Sequence, residues 1–166
     1  MKNQLRDKHV HFVGIGGAGL SAIARVLWEQ GAAVSGSDLV LSKVAQALAR
    51  DGVVVSEGHR AENVLGTDLV VVSSAVPDSN VEVQAARAAG IPVLKRPEFL
   101  GQMMAGHVGV AVAGTHGKTT TTAMIASILL EAGLDPTFIV GGVLTGLETN
   151  ARAGKGDVFV IEADEY

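Results

Sequence analysis

Twice along this chain an apolar, β-prone run breaks into a glycine turn and then into helical periodicity. The first run, His9 to Val13, leads into Gly14-Ile15-Gly16-Gly17-Ala18-Gly19, and Leu20, Ile23, Ala24 and Leu27 follow at helical spacing. The second run, Val108 to Ala113, leads into Gly114-Thr115-His116-Gly117-Lys118-Thr119 and a helical stretch from about Lys118 to Ala132. Strand, tight turn and helix in that order open a βαβ unit. A mostly parallel sheet with helices on both faces therefore follows. The remaining pattern agrees. Strands are expected at 33–37, 53–55, 69–72, 91–94, 137–140 and 158–161, and helices at 17–30, 42–50, 81–89 and 97–104. Gly106 and His107 mark a boundary between one α/β domain, 1–106, and the start of a second, 107–166.

Composition narrows the function classes. Glycine supplies 21 of 166 residues, well above the usual share of about 7%. Aromatics are only 4%, so Ala, Val, Leu and Ile must build the core. Cysteine is absent, which excludes a disulfide scaffold, a thiolate metal site and a cysteine nucleophile, and fits a reducing compartment. No Lys/Arg cluster offers a nucleic-acid footprint. No apolar run reaches the ~18 residues of a membrane span, and Met1 to Lys8 is polar, so neither membrane insertion nor a signal peptide is expected. A cytoplasmic protein is the expectation. The net charge of −4 lies wholly in the second segment: 1–106 holds ten basic and ten acidic side chains, 107–166 three and seven.

The first glycine loop satisfies G-x-G-x-x-G in the strand-to-helix context that the motif requires. Gly14 permits the tight turn, Gly16 lets a diphosphate approach the backbone, and Gly19 lets helix and strand pack closely. The helix start adds free N–H groups and partial positive charge. Asp38 ends the second strand, where a dinucleotide site places an acid for ribose hydroxyls; the plain alternative is a solvated strand-end acid. The motif indicates the diphosphate of a nucleotide without specifying NAD.

The second loop ends in Gly-Lys-Thr, the working end of a P-loop. Backbone N–H groups wrap phosphates, the Lys118 ammonium reaches β/γ oxygens, and the Thr119 hydroxyl suits Mg²⁺. The general pattern asks for glycine at 112, where this chain has Val112, so the loop is a shorter G-T-x-G-K-T. Thr120, Thr121 and Thr122 extend a polar start that is poor for helix propensity. Downstream, apolar Val158 to Ile161 runs into Glu162-Ala163-Asp164-Glu165. Acids at the end of a parallel strand beside a P-loop suit the far side of Mg²⁺, with Glu162 the first candidate and Glu165 the second. The alternative is a charged, solvated loop.

Together these pieces resemble the Mur ligases. The resemblance is carried by residues 11–21, Ser35-Gly36-Ser37-Asp38, Ser73-Ser74-Ala75-Val76 with Asn80, residues 114–120, Thr149-Asn150-Ala151-Arg152 and Glu162-Ala163-Asp164-Glu165, in order along the chain. It implies a Rossmann-like first domain that binds a UDP-sugar through Gly14, Ile15, Gly16, Gly17, Ala18 and Gly19, with Asp38, Ser73 and Ser74 near uridine or ribose. It implies an ATP·Mg²⁺ site made by Gly114, Thr115, His116, Gly117, Lys118, Thr119 and Thr120, with Thr119, Glu162 and Glu165 at the metal. Lys118 and His116 would be the catalytic candidates, a purely structural role for His116 being as well founded. Asn150 and Arg152 would lie near the reacting carboxylate or the phosphates.

The implied reaction joins L-alanine to the lactyl carboxylate of UDP-N-acetylmuramate at the expense of ATP, through an acyl phosphate, in peptidoglycan precursor synthesis. Family members are much longer, and 107–166 is too short to complete a doubly wound ATPase sheet. The 166-residue polypeptide is therefore expected not to ligate alanine alone. The rival expectations are a sibling ligase attaching a recycled murein peptide to the same UDP-sugar, a regulatory NAD-binding module fused to a P-loop, and a non-catalytic nucleotide-binding protein.

Overall fold

The computed structural model describes residues 5–163, which form two compact units, one running to Met103 and the other from Met104. The first unit is a five-stranded, wholly parallel sheet in the order β3-β2-β1-β4-β5. Its strands are β1 (His9–Val13), β2 (Ala33–Asp38), β3 (Val54–Glu57), β4 (Leu69–Val72) and β5 (Val93–Lys95). The helices are α1 (Ala18–Glu29), α2 (Lys43–Arg50), α3 (Val81–Ala88) and α4 (Arg96–Met104), with a 3₁₀ turn at Ala61–Val64 that the sequence pattern did not signal.

This is the Rossmann-like order, in which the progression of strands across the sheet reverses between β1 and β4. Alternation along β1 explains how both faces are covered. Val13 packs with Val72, Val83 and Ala86 on the α3 side. Its neighbour Phe12, pointing the other way, meets Phe99 of α4 edge to face at 5.8 Å. Helix starts follow ordinary capping chemistry. Ser42 accepts from the Ala45 N–H, and Asn80 accepts from the N–H groups of Glu82 and Val83.

The second unit is a four-stranded sheet in the order β6-β9-β7-β8, made of β6 (Val108–Val112), β7 (Thr137–Leu144), β8 (Thr149–Arg152) and β9 (Val158–Glu162). One helix, α5 (Lys118–Glu131), packs on it through Ala126 against Phe138, Val140 and Val160. β6, β9 and β7 are parallel, as expected, while β8 runs antiparallel beside β7. β8 and the extension of β7 to Leu144 were not expected. Thr149-Asn150-Ala151-Arg152 lacks apolar alternation, and Gly141-Gly142 looks like a stop. The two segments become strands because they pair with each other, with a register irregularity between Ile139 and Leu144.

Candidate functional site

In the first unit the glycine loop sits at the carboxyl ends of β1 and β2, where open α/β sheets place ligands. It is already tightly held. Gly14 takes φ +87°, as its tight turn requires. The Ser37 carbonyl accepts from the N–H groups of Gly14 (2.8 Å) and Ile15 (3.1 Å), and the Gly17 N–H bonds the Gly14 carbonyl at 3.2 Å.

The Gly16 N–H donates to Asp38 Oδ2 at 2.8 Å, and the other Asp38 oxygen accepts from the Leu39 N–H at 2.8 Å. A Cβ on Gly16 would lie 2.8 Å from Asp38 Oδ2 and 3.1 Å from Ser42 Oγ. The space beside Gly16, expected to admit a diphosphate, is therefore filled by a carboxylate and a hydroxyl of the protein. Asp38, expected near ribose, has hydrogen bonds that brace the loop. Among the described residues the N–H groups of Ala18, Gly19 and Leu20, in the first turn of α1, have no partner in the chain.

Ser73 follows β4 and packs on Gly14, whose Cβ would lie 3.0 Å from its own; its hydroxyl accepts from the Ala75 N–H. Ser74 is exposed beside it. Sequence reasoning missed Arg96, at the start of α4. A Cβ on Gly19 would come within 2.9 Å of Arg96 Nε, so the absence of a side chain at Gly19 makes room for a guanidinium at the start of α1.

A second missed feature lies behind the loop, on the α3 face of the sheet. His11 on β1 and Ser35 and Ser37 on β2 are buried, and Glu82 of α3 is fully buried among them. The Glu82 carboxylate accepts from Ser37 Oγ at 2.5 Å, His59 Nδ1 at 3.0 Å, the Arg60 N–H at 3.3 Å and the Asn63 amide. Burial pushes this carboxyl up. The His11 imidazole 3.9 Å away and the Ser37 and Asn63 hydrogen bonds outweigh that and hold it at about 2. Ser35 Oγ in turn contacts His11 Nδ1 and His9 Nε2, both at 2.8 Å. The available signal was alternation: His9 and His11, then Ser35 and Ser37, place polar groups on one face of strands expected to be buried.

The second loop is built differently. Gly117 caps α5 with φ +78°, and among the described residues no atom would contact a Cβ there within 4 Å. Residues 113–117 are exposed, His116 included, as are Thr119 and Thr120. Among the described residues the N–H groups of 115–120 have no partner in the chain; the first one bonded is Thr121, to the Gly117 carbonyl. Lys118 Nζ folds back onto the Gly114 carbonyl at 2.8 Å.

Parallel pairing sets Val112, just before the loop, beside Glu162 at the end of β9. Glu162 is buried. One oxygen accepts from the Gly141 N–H at 2.6 Å, and the other lies 3.4 Å from the Thr119 hydroxyl. A carboxylate and a hydroxyl at the end of the phosphate loop form a hard oxygen donor set, which fits Mg²⁺. Glu165 lies outside the described residues. An open, largely apolar cavity of about 550 Å³ adjoins Thr119 and Thr120, walled by Met124, Ile128, Val143 and Leu147.

Asn150 falls between the register pairs Ile139–Ala151 and Leu144–Thr149, toward the Glu162 end of the sheet. Arg152 does not join that group. It pairs with Phe138 near the opposite end of β7, and its guanidinium bonds Asp135 Oδ1 at 2.8 Å. The two residues, which the family resemblance had placed together, lie two positions apart on β8.

Known proteins match this arrangement closely. UDP-N-acetylmuramate–L-alanine ligase of Chlorobaculum tepidum is 56% identical over 162 residues, covering 97% of this chain and 34% of the relative. The enzyme so named in Methylococcus capsulatus is 57% identical over 156 residues, covering 94% of this chain and 33% of the relative. The chain thus spans about a third of the length of the curated relatives it matches.

Among solved structures, UDP-N-acetylmuramate-alanine ligase MurC from Thermotoga maritima superposes with TM-score 0.86 at 36% identity, covering 95% of this chain and 37% of that one. UDP-N-acetylmuramate:L-alanyl-gamma-D-glutamyl-meso-diaminopimelate ligase from Neisseria meningitides does so with TM-score 0.88 at 35% identity, covering 96% and 53%. The profile described as Mur ligase family, catalytic domain, matches residues 9–108. With that match, and relatives sharing more than half of its residues, this chain belongs to the Mur ligase family.

Proposed function

We propose that residues 1–166 are the UDP-sugar-binding unit and the ATP-binding front of a cytoplasmic ligase that joins L-alanine to the lactyl carboxylate of UDP-N-acetylmuramate. The observation that supports it most is the open second loop. Six successive N–H groups without a partner among the described residues surround Lys118, and Glu162 lies within reach of Thr119. Such a loop suits a triphosphate.

In the first unit, the N–H groups of Ala18, Gly19 and Leu20 and the Arg96 guanidinium serve the UDP diphosphate. Asp38 and Ser73 support them by bracing the loop, and Ser74 lies at its rim. The domain boundary is read at 106/107, within a few residues of the division between the compact units.

The chemistry follows from these parts. The lactyl carboxylate attacks the γ-phosphoryl of ATP, giving an acyl phosphate and ADP, and the alanine amine then displaces phosphate to form the amide. A carboxylate nucleophile needs no strong base, so the protein's work is alignment and charge neutralisation. Lys118 leaves the Gly114 carbonyl to meet β/γ oxygens, and the N–H groups of 115–120 hold the phosphates. Thr119 and Glu162 would hold Mg²⁺, which supplies charge neutralisation on the transferring phosphoryl.

Two structural neighbours act on UDP-N-acetylmuramate, one with alanine and one with a peptide. The fold does not separate them, but the relatives above 50% identity bear the alanine ligase name. Replacing the corresponding residues of the Chlorobaculum tepidum enzyme with this chain tests the reading. The chimera is expected to release ADP only when both UDP-N-acetylmuramate and L-alanine are present. A folded chimera that binds ATP yet forms no amide would contradict it.

A further inference from the structure

The buried acid behind the first loop has a consequence for recognition, one that rests on reading the first unit as a nucleotide-sugar site. An ionised carboxylate only accepts hydrogen bonds, so His59 Nδ1, 3.0 Å from Glu82, must carry the ring proton. Ser37 Oγ, which also contacts His59 Nδ1 at 3.0 Å, gives its own proton to Glu82. The other ring nitrogen, Nε2, has no partner among the described residues and is not buried, so it meets solvent. On the neutral ring that nitrogen is an acceptor.

The residues just before His59 are tied to the ligand end of the sheet. The Gly58 N–H bonds the Asp38 carbonyl at 2.7 Å, and Asp38 braces the glycine loop. Ser37 belongs to both systems, holding the loop through its carbonyl and Glu82 through its hydroxyl.

We propose that Glu82 is a positioning residue of the nucleotide-sugar site: it locks His59 in the Nδ1–H tautomer, so that Nε2 accepts from a donor on the nucleotide. Two donors share that chemistry, the uracil imide N–H and a ribose hydroxyl. Cytosine lacks the imide proton, so CDP separates them.

The test uses the intact chain. Two-bond ¹H–¹⁵N correlation of the histidine rings reads the His59 tautomer, and calorimetry reads binding of UDP-N-acetylmuramate, UDP and CDP. The unsubstituted chain should show Nδ1–H at His59. Glu82→Gln should lose that signature and bind UDP-N-acetylmuramate about tenfold more weakly, as expected for one hydrogen bond.

His59→Phe leaves Glu82 with Ser37 and Asn63 and guards against a Glu82→Gln chain that does not fold; it should lose about as much. If the imide is read, His59→Phe erodes the preference for UDP over CDP. If ribose is read, both weaken equally. An Nε2–H tautomer in the unsubstituted chain, or His59→Phe binding within twofold of it, overturns the proposal. Failure of the unsubstituted chain to bind any of the three nucleotides contradicts the reading of the first unit, and the tautomer result stands apart from it.

Discussion

The two glycine loops share one pattern and differ in what occupies them. In the first, four successive N–H groups, from Gly14 to Gly17, are bonded within the protein, and side chains of Asp38, Ser42, Ser73 and Arg96 fill the spaces where Cβ atoms would stand. In the second, the N–H groups of 115–120 have no partner among the described residues, and none of these residues crowds Gly117. A glycine motif therefore reports two different needs. One is close approach by the protein itself, which fixes a rigid loop. The other is a turn that leaves its donors unpaired among the described residues and open to solvent, as a phosphate-binding loop would need.

This contrast can be broken experimentally. The largest effect is expected at Lys118→Ala, which should weaken Mg·ATP binding by about 100-fold or more, because a charged hydrogen-bond donor to phosphate is lost. ATP affinity within threefold of the unsubstituted chain would show that the open loop is not the triphosphate site.

Gly16→Ala should act on stability instead. Its methyl would collide with Asp38 and Ser42, and overpacking of this kind costs about 2 kcal/mol. Trp28 is the single tryptophan of the chain and lies in α1, so urea unfolding followed by its fluorescence reads the first unit directly.

Acid probes the support of the same loop. Glu82 is held at about 2, below its ordinary 4.5, so its stabilisation is complete above pH 4.5 and disappears as pH falls toward 2. His11 and His59 are the titratable side chains that face it among the described residues. The Trp28-detected melting temperature should drop across that window, and more steeply than in Glu82→Gln, which has no carboxylate to protonate. Parallel profiles would show that the network adds nothing to the loop's support.

The smallest effect belongs to Gly117→Ala. A left-handed φ costs a side-chain-bearing residue about 1 kcal/mol, with no steric clash to add. Its stability loss should therefore be smaller than that of Gly16→Ala, a ranking that chemical denaturation of each variant checks.

Much of this was legible in the sequence, for reasons that also mark where legibility stopped. Strand periodicity and the two turns placed β1, β4, β6 and β9 within a residue or so, because buried parallel strands demand runs such as Leu69 to Val72. β8 was invisible because its strand character comes from pairing with β7 rather than from Thr149-Asn150-Ala151-Arg152 itself. Gly16 was visible as a required glycine, but not the neighbour requiring it, since Asp38 and Ser42 arrive from 22 and 26 residues away. Glu82, in the first turn of α3 after the Asn80 cap, drew no attention in the sequence; only the fold brings Ser37, His59 and Asn63 onto it. Asn150 and Arg152 were placed together by the family resemblance; the Asp135 partner of the Arg152 guanidinium, 17 residues upstream, could not be read from the sequence.

The central claim is that the packed first loop serves a nucleotide sugar rather than a dinucleotide. Calorimetric titration of the chain with UDP-N-acetylmuramate and, separately, with NAD tests it most directly. Saturable binding of UDP-N-acetylmuramate with no response to NAD is the predicted result. Tight NAD binding with no response to UDP-N-acetylmuramate would contradict it.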